Sequence, residues 1–355
     1  AIILFSVILL SVSGCLSPEM RSAKIALNEK EYKRAIENLE LENERMPGNA
    51  EVWFLKGYSY EKLSDWVNMS ESYAKASELS DQFQVEIERS ISKLVGRYYK
   101  RSLMLFDSSH WDSALTYLDT AIIIDNSNYR LYRQAAITAY RGSMYELAVN
   151  HCLTAIENEP TIAEAREEFE NNESISSPDY NMESRKVLLT IFSAEKNWDK
   201  VIEWSNNIMD RVEQTEGDSN DYLSGLDELI SAYEELESNE EAEAAISKAM
   251  DKFPDNLQLR LNLATYKIRR DDNQGAMEVL KSVIKTNPDN IYANLTIGTI
   301  LIMEKKYEES IPYLEVVIAV EPENKSALQN LVSAYYNTDQ VEKGSEVRKR
   351  WEKLR

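Results

Sequence analysis

Three short segments near the C-terminal end decide how this chain folds: Lys252-Phe-Pro-Asp-Asn256, Thr286-Asn-Pro-Asp-Asn290 and Val320-Glu-Pro-Glu-Asn324. Their prolines stand at 254, 288 and 322, so the motif recurs every 34 residues without a gap. Proline disfavours helical geometry at the residue before it, so each of these positions closes a helix. A fixed period of this length marks a repeat array in which one repeat is one supersecondary unit.

Working outward from the prolines places repeat starts at 16, 50, 95, 129, 182, 223, 257, 291 and 325. Five of the intervals are 34 residues, and the other three are longer by 11, 19 and 7. The frame can be checked one register at a time. Position 17 is aromatic at Tyr32, Trp66, Trp111, Tyr145, Trp198 and Tyr307, although aromatics make up only 9% of the chain. Position 20 is small at Ala35, Ala114, Ala148, Ala242, Ala276, Ser310 and Gly344. Position 8 is small at Ala23, Gly57, Ser102, Ala136, Ala264 and Gly298. Position 32 is proline at Pro47, Pro160, Pro254, Pro288 and Pro322.

In these registers the sequence resembles the tetratricopeptide repeat family, over residues 16–355. The resemblance implies an all-α fold: a right-handed superhelical solenoid of about nine helix-turn-helix repeats. A lone helix pair cannot bury its apolar faces, so neighbours stack, and the small residues set how closely the helices approach. The composition agrees, with 43% hydrophobic residues and few glycines or prolines.

The long intervals differ in character. Residues 81–94 carry no Gly or Pro and are expected to extend the first helix of repeat 3 by about three turns. Residues 170–181 are polar, contain Pro178 and are expected to form a loop or hinge. Residues 214–221 read as a second loop. The expected organisation is therefore repeats 1–4 over 15–169, a hinge at 170–181, and repeats 5–9 over 182–355. The last helix, about Val341–Leu354, carries Lys343, Arg348, Lys349, Arg350 and Lys353, as suits a polar terminal cap.

Residues 1–14 form an apolar stretch that ends in Val12-Ser13-Gly14 before Cys15. The run Ile2–Leu10 is too short to span a bilayer, which takes about 20 residues, but it suits the apolar core of a signal peptide. An aliphatic residue and two small ones before Cys resemble the lipobox of bacterial lipoproteins. That resemblance implies cleavage before Cys15, a lipid on its thiol and anchoring in the cell envelope. Two or three acyl chains hold firmly where one does not. A basic n-region is expected upstream of Ala1. Leu16, where an Asp often retains a lipoprotein in the inner membrane, leans toward the outer membrane.

The formal net charge of -21 makes nucleic acid a poor partner, since phosphate binding needs clustered cations. The only histidines are His110 and His151, in different repeats, and no Cys-x-x-Cys accompanies them, so no metal site is expected. Cys152 sits at a register that is usually buried and reads as structural. No phosphate loop or nucleophile motif appears, and the repeats leave no room for a catalytic domain. Neither a cofactor nor an enzymatic activity is expected.

Charge is unevenly placed. Residues 95–141 hold six cations against four acids, a balance of +2, whereas residues 212–247 hold twelve acids and no Lys or Arg. The acidic stretch reads as a solvated face. In tetratricopeptide folds positions 2, 5, 9, 12 and 13 line the groove. In repeats 2–4 these include Phe54, Tyr58, Tyr99, Phe106, Arg130, Arg133, Tyr140 and Arg141. An aromatic and basic groove suits an acidic or extended peptide, with Arg gripping carboxylates and Tyr offering flat contact area. The expected function is a membrane-anchored protein–protein interaction scaffold whose partner is an envelope protein or peptide segment. The alternative is a glycan-binding outer-membrane lipoprotein, against which Trp66, Trp111 and Trp198 at the buried position 17 argue.

Overall fold

The computed structural model describes residues 16–172, 177–254 and 256–354. Residues 1–14 and the expected lipidation site Cys15 lie outside the described residues. Among the described residues the only regular structure is helical, and no helix is long and apolar enough to cross a membrane.

The chain divides into two compact units at 218/219. In the first, helices pair in order. They are α1 (Pro18–Asn28) with α2 (Tyr32–Arg45), α3 (Ala50–Leu63) with α4 (Trp66–Leu79), and α5 (Gln84–Asp107) with α6 (Trp111–Ile124). Then come α7 (Tyr129–Arg141) with α8 (Tyr145–Glu157), a single helix α9 (Ile162–Glu170), and α10 (Met182–Ala194) with α11 (Trp198–Thr215). The second unit pairs α12 (Ser219–Glu235) with α13 (Asn239–Lys252) and α14 (Leu257–Arg269) with α15 (Asn273–Thr286). It ends with α16 (Ile291–Met303) beside α17 (Tyr307–Val320) and α18 (Lys325–Asn337) beside α19 (Val341–Lys353).

Both halves of the repeated proline motif have a structural task. The proline follows a second helix, and the asparagine two residues later caps the next first helix. Asn256, Asn290 and Asn324 accept the backbone N–H of Leu259, Ala293 and Ala327 at 3.1, 2.8 and 3.0 Å. Asn49 and Asn128 do the same at α3 and α7. Each cap satisfies one of the donors that a helix start leaves without an intrahelical partner.

The small residues of positions 8 and 20 lie where the paired helices touch. Ala23, Ala35, Ala114, Ala136, Ala148, Ala242, Ala264 and Ala276 are fully buried. A methyl group on Gly298 would meet Leu314 Cδ2 at 2.6 Å, and one on Gly57 would run into the Tyr73 ring. Core clusters run along each unit, from Met20 through Leu39, Met69 and Leu94 in the first, and through Leu280, Ile297, Leu314 and Leu331 in the second.

The extension of the first helix of repeat 3 by about three turns is present, and two other details differ from expectation. Helix α5 gains its extra turns from Gln84, after a short 3₁₀ turn over Asp81–Phe83. Helix α9 fills part of the long interval after repeat 4, where no helix is expected. Its capping box, Thr161 with Glu164, is the sequence signal for it. The loop expected at 214–221 shrinks to residues 216–218, because α11 runs to Thr215 and α12 starts at Ser219. The described residues of the segment expected as a hinge, 170–172 and 177–181, belong to the first unit.

Candidate functional site: the first-helix faces

The eight residues expected to line a groove divide into three groups. Phe54 is a core residue. It is buried and stacks on Phe83 with ring centroids 4.5 Å apart, so it offers nothing to a partner. Tyr58, Tyr99, Phe106 and Tyr140 are half-buried and packed on neighbouring rings or apolar clusters. Tyr58 meets Tyr32 edge-on at 6.4 Å, Phe106 meets Trp111 at 5.0 Å, and Tyr140 lies 6.0 Å from Tyr145. The remaining three are the arginines of α7.

Arg130 and Arg133 are engaged by the chain itself. Arg133 Nη1 donates to both oxygens of Asp179 at 2.6 and 2.7 Å, and Arg130 Nη2 donates to Glu168 at 2.7 Å. The expected carboxylate grip is present, but α9 and the segment leading into α10 supply the carboxylates. Burial would push the Asp179 carboxyl up. The Arg133 hydrogen bond and charge, with the Asn181 N–H, outweigh it and hold the group below the usual carboxylate range. Arg141 alone of the three is exposed, and among the described residues no carboxylate pairs with it.

Beneath that contact lies a buried ionic seam. Glu159 accepts from Arg185 through both oxygens at 2.8 and 2.7 Å. Arg211 Nη2 stands 3.0 Å from the same carboxylate, out of line for a hydrogen bond. Arg185 and Glu159 are nearly closed to solvent, at 4% and 10% side-chain exposure. Burial lowers the Arg211 guanidinium from its usual range. One carboxylate thus balances two guanidinium groups in the interior, a structural arrangement rather than a binding one.

The open groove of the second unit was not singled out from sequence, though the same registers define it. The first-helix faces of α14, α16 and α18 bound a cleft of about 470 Å³, lined by Ile268, Leu295, Thr299, Met303, Gln329 and Asn330. Met303 is 71% exposed. Hydroxyls and amides join one repeat to the next across this face. Asn330 donates to Thr299 at 2.9 Å, Thr265 and Tyr292 share a hydrogen bond of 2.6 Å, and Asn262 donates to Asp227 at 2.6 Å. The face therefore combines an apolar floor with groups that donate and accept, the requirements of an extended chain with one N–H and one C=O per residue.

Cys152 is fully buried and its thiol is pushed up to about 12 by desolvation, which makes it inert. His151 lies beside Tyr132 at 6.1 Å, and burial lowers its pKa. Among the described residues no three His, Cys, Asp or Glu side chains are grouped to hold a metal ion.

Residues 235–297 match the family model of the tetratricopeptide repeat. No curated protein matches the chain. Among solved structures, the P58(IPK) TPR domain is 14% identical, covers 95% of this chain and 96% of its own, and superposes with a TM-score of 0.26. PilW, a widely conserved type IV pilus biogenesis factor, is 14% identical over 69% of this chain and 96% of its own, with a TM-score of 0.34. MamA residues 41 to the end, from Desulfovibrio magneticus RS-1, are 17% identical over 55% of this chain and 96% of that one, with a TM-score of 0.39. The described chain is an all-helical array of tetratricopeptide-type helix pairs, and the family model itself matches residues 235–297.

Proposed function

We propose that the protein is an interaction scaffold held at the bacterial cell envelope through lipid on Cys15, and that it receives an extended segment of a partner protein on the first-helix face of its second unit. The observation that carries this reading is the open cleft across α14, α16 and α18, with the exposed Met303 on its rim and a row of amides and hydroxyls along its wall. Apolar side chains of a bound segment would bury against Ile268, Leu295 and Met303, while Gln329 and Asn330 would meet its backbone. The arginines of α7 are a weaker site for an acidic segment, because Asp179 and Glu168 would first have to be displaced.

A glycan is the second reading, and one observation favours it: Tyr292 is 41% exposed on the same hydroxyl-lined face. No Trp among the described residues is exposed to match it.

Two substitutions at exposed groove positions, Met303→Asp with Gln329→Lys, leave the core intact and test the reading. Recovery of the partner protein from detergent-solubilised envelopes should fall at least about ten-fold, the loss of roughly 1.4 kcal/mol of contact. Unchanged recovery removes the groove from the account. Separately, Cys15→Ser should release the chain from the membrane fraction and abolish labelling by a fatty-acid probe; a labelled variant would rule out that anchor.

A further inference from the structure

One helix of the first unit stands apart in this acidic chain. On α5, Arg89, Lys93, Arg97, Lys100 and Arg101 follow at intervals of 4, 4, 3 and 1. At about 100° per residue these positions fall within one arc of roughly 120°, along about 18 Å of helix. All five side chains are exposed. No carboxylate among the described residues lies within ion-pair distance of any of them. Glu86 and Asp107 stand only at the two ends of the stripe. In a chain of net charge -21, five unneutralised cations on one helix face are not a by-product of composition.

Three further features qualify the surface. The apolar side chains at the ends are also open to solvent, Val85 at 61% and Met104 at 54%. Beside the cations lies an open cavity of about 470 Å³, bounded by Arg97, Tyr98, Lys100, Arg101, Met104 and Tyr117. The Tyr98 and Tyr117 rings form its wall with centroids 6.1 Å apart.

We infer that the basic face of α5 rests on an anionic phospholipid surface, with a headgroup phosphate seated in the cavity beside Arg97, Lys100 and Arg101. Cations spaced along a straight helix meet a plane of phosphates simultaneously, and each contributes attraction within a Debye length of the surface. Val85 and Met104 gain burial by entering among the headgroups, as apolar side chains of interfacial helices do. Tyrosine suits the same depth, with an apolar ring and a polar tip. The choice of a membrane over an acidic protein rests in part on the reading of Cys15 as lipid-bearing. Only Leu16 and Ser17 separate that residue from α1, so the tether brings this unit to the bilayer.

The test uses a chain starting at Leu16, because the hydrophobic clusters begin at Met20 and lose nothing by the truncation. Sedimentation is measured with vesicles of phosphatidylcholine alone and of phosphatidylcholine mixed with phosphatidylglycerol. Binding is expected only to the mixed vesicles, and should vanish near about 1 M salt, where screening acts over about 3 Å. Arg97→Gln, Lys100→Gln and Arg101→Gln together should weaken it about 100-fold, at roughly five-fold per cation. Absence of binding to mixed vesicles, or equal binding by the triple variant, overturns the inference. So does retention on immobilised polyglutamate without vesicle binding, which would assign the stripe to an acidic protein. Because this chain has no Cys15, the result is independent of the anchor, which is tested separately by labelling of the full chain.

Discussion

Single side chains hold the least regular part of the molecule together, and the strongest dependence falls on Glu159. Its carboxylate lies against the buried guanidinium groups of both Arg185 and Arg211. Glu159→Gln leaves two buried cations facing a neutral amide, so the first unit should lose roughly 3–5 kcal/mol in urea unfolding. Asp179 gives a pH signature. Its folded pKa lies below the unfolded one, so its contribution is complete above about pH 4 and is lost as pH falls through the depressed folded value. Arg133→Gln should flatten that acid limb in stability measured against pH. In the second unit, Gly298→Ala places a methyl against Leu314 and should cost about 1–3 kcal/mol. The small residues behind that last effect were legible as a register. Glu159, Asp179 and Arg185 were not, because pairs separated by 26 and 46 residues leave no local pattern.

At the scale of helices and turns, one conformation recurs in every repeat. Lys30, Ser64, Ser109, Ser143, Lys196, Glu237, Asp271, Lys305 and Asp339 all adopt positive φ, between 56° and 62°. Each is position 15 of its repeat, in the turn between the two helices. That nine-fold recurrence fixes the repeat frame independently of the side-chain registers. Not one of these residues is glycine, although left-handed backbone costs an L-residue about 1 kcal/mol. Ser143→Gly should therefore stabilise the first unit by up to about 1 kcal/mol, read as a higher midpoint in thermal unfolding. The frame was legible in the sequence because fully buried helix contacts enforce its small positions, whereas the aromatics of position 17 are only half-buried and Tyr145 is exposed. The turns were less so, since the residue that usually marks a left-handed turn is missing from them. Helix α9 escaped because a single helix between two pairs has no register to share, leaving its capping box as the only sign.

On the scale of the whole chain, each unit presents a different chemistry. The first carries the basic stripe of α5 and an arginine face closed by its own acids; the second carries the open cleft of α14, α16 and α18. Sequence weighted the groove registers of the unit with the most aromatic and basic residues. Apart from Arg141, the groove residues read from it are packed on neighbouring side chains or paired within the chain, which the positions alone do not reveal. The claim that follows is that partner capture occurs on the second unit. A photo-crosslinking amino acid at Met303, compared with one at the exposed Val341 outside the cleft, tests it most directly in intact envelopes. The account predicts that the Met303 site yields one discrete adduct whose digested peptide maps to a continuous segment of a partner protein, and that the Val341 site does not. Equal adducts from both sites, or a Met303 adduct that carries glycan and no peptide, would contradict it.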